Sequence, residues 1–272
     1  MADKDEDKLD DIKDIIDVLD DDFDEDFDIR DTHFESKEDL ERWLKNTRKY
    51  LEDLRDELEA MPNKKMCVIF SGAPECYIPE KIMQASYSIA CDSGYAHAKK
   101  EEIRPNLIVG DFDSYKGIIP QGVEVIRTVP EKDDTDTLMG LKEAIARGYK
   151  SVMMLGAMGG RIDHTLANLA LTAYAEERGV ELFIIDRGTQ IFAIKNRRCR
   201  IRKSQWRYVS IFSMEKESRG VTLAGLKYPL DDAVLTNSYP VGVSNEFADD
   251  VATIEVKDGM LLIVLTDESR CQ

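Results

Sequence analysis

Apolar residues follow three different textures along the chain. Up to residue 30 they stand singly among aspartates, and Leu9, Ile12, Ile15, Ile16 and Leu19 are spaced closely enough for a short amphipathic helix inside a solvated acidic segment. From Ser36, which with Asp39 three residues later looks like a capping box, the residues Leu40, Trp43, Leu44, Leu51, Leu54 and Leu58 recur at helical spacing up to Pro62. That spacing predicts a helix that packs on the rest of the protein or pairs with another copy.

At Met66 the texture changes to short apolar runs that alternate with helical stretches, the pattern of a mostly parallel sheet covered by helices. Strands are predicted over 66–71, 87–91, 106–109, 123–128, 151–155 and 181–185, and helices over 95–102, 135–147 and 163–178. The last two helices end at Gly148 and Gly179, where a glycine suits a helix C-terminus. After Asp186 the runs become short, alternating and turn-separated, over 190–195, 206–212, 251–256 and 260–265, with Lys257-Asp258-Gly259 as a hairpin turn. The expected organisation is an acidic, partly helical extension over 1–64, an α/β domain over 65–189 and an all-β sandwich over 190–272. The α/β domain is expected to be Rossmann-like, with helices on both faces of its sheet.

Composition adds to this picture where it is uneven. The 272 residues carry a net charge of -17, but residues 1–30 hold 15 acidic and 4 basic side chains, and residues 65–272 are left with only -3. Neither part has the basic balance that binds nucleic acid or an anionic membrane through phosphates. The apolar runs are of strand length, so no membrane span is expected, and no charged-then-apolar leader opens the chain. Five cysteines (Cys67, Cys76, Cys91, Cys199 and Cys271) form no CxxC pair and are odd in number, which fits reduced thiols in the cytoplasm.

Candidate chemistry gathers just after the predicted strands. In an open α/β sheet, ligands bind outside the carboxyl ends of the strands, where loops converge and helix N-termini point. Four successive strands end in acids there: Asp92-Ser93-Gly94, Gly110-Asp111-Phe112-Asp113, Lys132-Asp133-Asp134-Thr135-Asp136, and Gly159-Gly160-Arg161-Ile162-Asp163-His164. One such aspartate would be a helix cap, but like charges repeated at one edge are costly unless a cation neutralises them. The hard cation suited to carboxylate and phosphate oxygens is Mg²⁺, and Arg161 offers a planar fork for phosphate. The chain has neither a G-x-x-x-x-G-K-[ST] loop nor a G-x-G-x-x-G after its first strand, where Ser71-Gly72-Ala73-Pro74 stands instead. The three histidines, His33, His97 and His164, do not form a metal cluster in sequence, and His164 reads as a hydrogen-bond partner at a helix start.

These segments, extended to Pro105–Ser114, Lys132–Thr137 and Gly159–Asn168, resemble in order and spacing the motifs of the thiamine pyrophosphokinase family. Gly220-Val221-Thr222, the stretch from Gly225 to Leu230 and Val243-Ser244-Asn245-Glu246-Phe247 are similar to that family's thiamine-binding β domain. The resemblance spans about residues 66–266, and Ser93-Gly94-Tyr95 departs from the two glycines and small residue more usual at that place. It implies transfer of a diphosphate group from ATP to thiamine, giving thiamine diphosphate and AMP, by a homodimer with active sites at the subunit interface. The implied Mg²⁺ ligands are Asp111 and Asp113, with Asp92 or Asp133 beside them. Asp92, Gly94, Thr135 and Arg161 would hold the nucleotide, and Asp111, Asp113, Asp133, Asp136, Arg161 and Asp163 would carry the chemistry. Ser244, Asn245 and Tyr228 would meet thiamine.

Two other readings stand beside this one. Asp111-Phe112-Asp113 after an apolar strand also resembles the D-x-D loop of haloacid dehalogenase phosphatases, which predicts a phosphoaspartate intermediate. A non-enzymatic protein whose acidic N-terminus recruits a partner is the third.

Overall fold

The computed structural model describes residues 65–79, 82, 85–111, 120–128, 134–267 and 269. The acidic segment, the capping box and the helix expected over 1–64 lie outside the described residues, as do Asp113 and Asp133.

The elements up to Asp186 alternate as the apolar runs predict: β1 (Met66–Phe70), β2 (Tyr87–Cys91), α1 (Gly94–Lys100), β3 (Leu107–Gly110), β4 (Glu124–Arg127), α2 (Asp136–Ala146), β5 (Ser151–Leu155), α3 (Ile162–Glu176) and β6 (Glu181–Asp186). After these come β7 (Thr189–Lys195), β8 (Arg198–Arg202), β9 (Tyr208–Ser213), β10 (Glu217–Ala224), β11 (Leu230–Thr236), β12 (Asn245–Glu246), β13 (Val251–Glu255) and β14 (Met260–Thr266). Among the described residues, ten strands form one sheet in the order β12-β9-β14-β7-β6-β5-β1-β2-β3-β4, and four form a second, β11-β10-β13-β8. The larger sheet is mixed: β4 through β6 pair in parallel, while β7, β14, β9 and β12 continue it antiparallel. The fold is therefore one of mixed sheets with few helices.

Alternation along the parallel strands sorts their side chains to two faces. Cys67 and Ile69 of β1, with Ile89, Val109, Val152 and Met154 of its neighbours, pack in one cluster with Leu141 and Ala144 of α2 and Leu171 and Ala175 of α3. Val68 and Phe70 face the other way and join Ala90, Ile108 and Leu155 against Tyr95 and Ala98 of α1. Each large side chain buried in this way contributes roughly 1.5–3 kcal/mol. A third cluster joins Ile194, Val209, Ile211, Leu261 and Ile263 of the larger sheet to Val221, Leu223, Ala252 and Ile254 of the smaller one.

Two findings bear on the second half. The change of texture near residue 190 coincides with the β6–β7 hairpin, where Ile184 pairs with Ile191 and Asp186 with Thr189, so sheet hydrogen bonding runs through this point. The hairpin turn expected at Lys257-Asp258-Gly259 is instead a corner between sheets. β13 pairs with β10 and β8, whereas β14 pairs with β7 and β9. The corner is pinned from the side, because Arg219 N donates to Asp258 O at 2.7 Å and Arg219 O accepts from Lys257 N at 3.1 Å.

Candidate active site

Because β1, β2, β3 and β5 run parallel, their carboxyl ends share one edge of the sheet, and the loops there wall a cavity of about 540 Å³. Residues 71–74 after β1 form one side. Asp92 and Ser93 after β2, Thr135 and Asp136 at the start of α2, and Gly159, Gly160 and Arg161 between β5 and α3 complete most of the wall.

Asp92 sits in the left-handed region with φ 47°, which Asp tolerates better than most residues. Its N–H donates to Val109 O at 2.8 Å and its carbonyl accepts from Tyr95 N at 3.2 Å, so the aspartate links the end of β3 to the start of α1. Gly94 opens α1 against the end of β1, where a Cβ would stand 2.2 Å from Phe70 O. At Gly110 a Cβ would come within 3.1 Å of Asp92 Cα. Glycine thus lets β3 end directly against Asp92, and Asp111 follows it, half-buried and not among the described residues of the cavity wall.

Thr135 is the N-cap of α2: its extended backbone and its Oγ1, which accepts from Leu138 N at 3.1 Å, satisfy one of the orphan donors of the first turn. Asp136 accepts from Thr128 Oγ1 at 3.1 Å and places a carboxylate at the positive end of that helix. On the opposite side Arg161 grips Asp163 with both arms of its fork, Nε to Oδ1 at 3.1 Å and a terminal nitrogen to Oδ2 at 2.5 Å. The Arg161 guanidinium holds the Asp163 carboxyl below the usual carboxylate range, and its own pKa rises in return. The two side chains are 72% and 60% exposed, so a ligand phosphate can compete for the fork at small cost. Burial pushes the thiol of Cys91, also in the wall, well above its ordinary value, so it offers no thiolate nucleophile.

Among the described residues no group of three or more His, Cys, Asp or Glu stands close enough to hold a metal ion by itself. The set still fits a hard divalent ion of the kind that keeps its waters and is bound by one or two carboxylates plus substrate phosphates. Asp92 and Asp111 provide hard oxygen donors from the ends of adjacent strands, and the bare Gly110 brings those ends together.

Comparison with known proteins decides the family. The model described as "Thiamin pyrophosphokinase, catalytic domain" matches residues 78–184, and "Thiamin pyrophosphokinase, vitamin B1 binding domain" matches residues 198–261, together well over half of the chain. The chain belongs to the thiamine pyrophosphokinase family. It is 27% identical over 207 residues to the thiamine pyrophosphokinase of Bacillus subtilis, covering 72% of this chain and 96% of that relative. The crystal structure of thiamine pyrophosphokinase from Bacillus subtilis superposes with a TM-score of 0.68 at 26% identity, over 75% of this chain and 100% of that one. A thiamin pyrophosphokinase family protein from Enterococcus faecalis does so with a TM-score of 0.63 at 27% identity, over 74% and 98%.

The two thiamine pyrophosphokinase matches divide the residues singled out in the sequence. The catalytic-domain match spans Asp92 through Asp163, and the B1-binding match spans Tyr228, Ser244 and Asn245. Ser244 is exposed with φ 58°, and its N–H donates to Ser210 Oγ at 2.9 Å. Asn245 is only 6% exposed, and its side chain makes three hydrogen bonds. Oδ1 accepts from Tyr228 N at 2.9 Å and Glu246 N at 3.0 Å, while Nδ2 donates to Tyr228 O at 2.8 Å. This geometry gives Asn245 a positioning role: it holds the loop from which the exposed Tyr228 ring projects.

Sequence reasoning missed the residues that brace the cavity loops. His97 Nε2 donates to Ala73 O at 2.7 Å, and Asn168 Nδ2 to Ala157 O at 2.8 Å. Ser71 and Thr137 meet at 2.9 Å. For Asn168 a signal existed, since an asparagine in the middle of an amphipathic helix needs a partner when buried.

Proposed function

We propose that this chain transfers the diphosphate group of ATP to the hydroxyl of thiamine, giving thiamine diphosphate and AMP. The observation that carries this reading is the convergence of Asp92-Ser93, Thr135-Asp136 and Gly159-Gly160-Arg161, distant in sequence, on one cavity at the carboxyl edge of the sheet. In the reaction the thiamine hydroxyl oxygen bonds to the β-phosphorus as the bond from that phosphorus to the α,β-bridging oxygen breaks. AMP leaves with the bridging oxygen, and the hydroxyl proton is lost. Such a transfer needs positioning and charge neutralisation more than covalent help from the protein.

The residues divide the work accordingly. Arg161 exchanges the Asp163 carboxylate for phosphate oxygens, and Asp163 keeps the fork oriented until ligand arrives. Thr135 and Asp136 fix the first turn of α2, whose N–H groups face the phosphates. Asp92 and Gly94 shape the nucleotide loop. Asp92 and Asp111, with Asp113 and Asp133, would hold Mg²⁺. The ion supplies neutralisation of phosphate charge and alignment of the transferred group. Tyr228 and Ser244 contact thiamine, with Asn245 holding Tyr228 in place.

The division of labour follows the chain: a Rossmann-like catalytic part over 65–189 with helices on both faces, a thiamine-binding β-sandwich over 190–272, and an N-terminal extension over 1–64. A homodimer with active sites at its interface is supported by two exposed apolar strips. Ile162 and Leu166 lie one turn apart beside Arg161, and Tyr239, Val241 and Val243 lead into Ser244. A cytoplasmic enzyme fits the free thiols of Cys67, Cys76, Cys91 and Cys199, and no described helix is long and apolar enough to cross a membrane.

The test is product analysis of the purified chain with ATP, Mg²⁺ and thiamine, with Asp111→Asn as control. Equal amounts of thiamine diphosphate and AMP, lost in the variant, are expected. Free phosphate with thiamine untouched would overturn the reading in favour of a phosphatase.

A further inference from the structure

Ser71 and Thr137 form a buried hydroxyl pair in the wall of the cavity, and its proton count does not close among the described residues. Ser71 follows β1 and is 4% exposed; Thr137 is the second residue of α2 and is 8% exposed. Their oxygens lie 2.9 Å apart, although the residues are 66 positions apart in sequence. Two hydroxyls carry two protons, and only one can lie between the two oxygens. Neither hydroxyl has a further acceptor among the described residues. A buried donor left without an acceptor costs roughly 1–3 kcal/mol, and because both residues line the cavity, the second proton can be taken there by a ligand oxygen in place of solvent.

The surroundings define the acceptor. Thr137 stands in the first turn of α2, where unpaired backbone N–H groups and the positive end of the helix favour an anion. Beside Ser71 two backbone donors tie the loop to the end of β5, Ser71 N to Leu155 O at 2.8 Å and Ala73 N to Gly156 O at 2.9 Å. The loop at Ser71 is therefore anchored, and the Ser71 hydroxyl is held in a fixed place on the cavity wall. The Asp136 carboxylate, next to Thr137 in the chain, accepts from Thr128 Oγ1 at 3.1 Å. We propose that the Ser71–Thr137 pair is a phosphoryl-binding donor, giving its spare O–H to a non-bridging oxygen of ATP while the internal hydrogen bond fixes its direction. Bound to a charged oxygen, the two hydroxyls polarise one another along a short chain. Ser71 lies outside the family match that begins at residue 78, and no family motif named above contains it. The inference rests on reading the cavity as the ATP site.

The test uses the full-length chain with Mg²⁺ present, and compares Ser71→Ala/Thr137→Val with wild type and with Thr137→Ser. Removing both hydroxyls together leaves no buried polar orphan, so the double variant should melt near the wild-type temperature. Its Kd for ATP, measured by titration calorimetry without thiamine, should rise roughly tenfold to hundredfold, the range for a hydrogen bond to a charged group. KM for thiamine should stay unchanged, and Thr137→Ser, which keeps the hydroxyl, should bind ATP like wild type. The single variants should fall short of additivity, because they break one two-hydroxyl unit. Wild-type ATP affinity in the double variant would overturn the proposal, as would a fall in melting temperature with both substrates weakened alike. Failure of the broader reading looks different: wild type itself would then make no thiamine diphosphate, whatever the pair contributes to ATP binding.

Discussion

Replacing Asn245 by alanine separates two roles that the sequence leaves superimposed, contact with thiamine and support of the loop that makes the contact. The buried amide makes three hydrogen bonds, two accepted on Oδ1 and one donated from Nδ2, and two of them tie the backbone of Tyr228 to the strand that begins at residue 245. At about 1 kcal/mol net for each bond, the loss is about 3 kcal/mol, to which unsatisfied buried N–H groups add. For a protein of this size, that corresponds to a fall of roughly 6–12 °C in melting temperature. Calorimetric unfolding, together with KM values for both substrates, reads both consequences. The expected outcome for Asn245→Ala is lower stability with a higher thiamine KM and an unchanged ATP KM. Asn245→Asp should recover only part of the stability. It keeps the acceptor for Tyr228 N and Glu246 N but sets a second oxygen against Tyr228 O. If Asn245→Ala melted like wild type and lost only thiamine affinity, the positioning argument would be refuted and the amide would have to touch the ligand directly.

The other predictions concern the cavity. Gly94→Ala forces a Cβ to within 2.2 Å of Phe70 O and 2.6 Å of Phe70 C, both rigid backbone of a central strand, so the variant should be strongly destabilised in a urea melt even though alanine favours helices. Arg161→Ala should leave the melting temperature almost unchanged, since an ion pair this exposed stabilises little, yet raise the ATP KM and lower kcat; equal stability and activity would remove Arg161 from the site. The same variant has a pH signature. The hydrogen bond from Arg161 lowers the Asp163 pKa below its ordinary 3.8, so the pair is intact above that value and is lost as the pH falls through the lowered pKa. A carboxyl-detected NMR titration should therefore show Asp163 moving up toward 3.8 in Arg161→Ala, and no movement would contradict the pairing.

The parts of the fold that could be read from the sequence are those whose signals are local. β2 and β5 fall where the apolar runs place them, because both are short, flanked by turn residues and buried in the parallel sheet. β10 and β11 escaped, since Gly220 with φ 65° and Asp232 with φ 48° interrupt the alternation and shift the register between the two strands. β8 escaped for a different reason. It is an edge strand whose alternation of Arg198, Arg200 and Arg202 with Cys199 and Ile201 reads as a solvated charge run.

The candidate site divides along the same line. Asp92, Thr135, Asp136 and Arg161 were visible because chain direction in a parallel sheet delivers the residues after each strand to one edge, so repetition in sequence becomes proximity in space. The braces behind them follow no period. His97 to Ala73, Asn168 to Ala157, Ser71 to Thr137 and Asn245 to Tyr228 each join residues from different elements, and each is a buried or half-buried polar group whose partner is decided by packing. A sequence shows that such a group must be satisfied, but its partner emerges only when the sheet order brings two loops together. Substitutions at the braces should therefore move the loops they hold, while substitutions at the visible residues should act on the ligand directly.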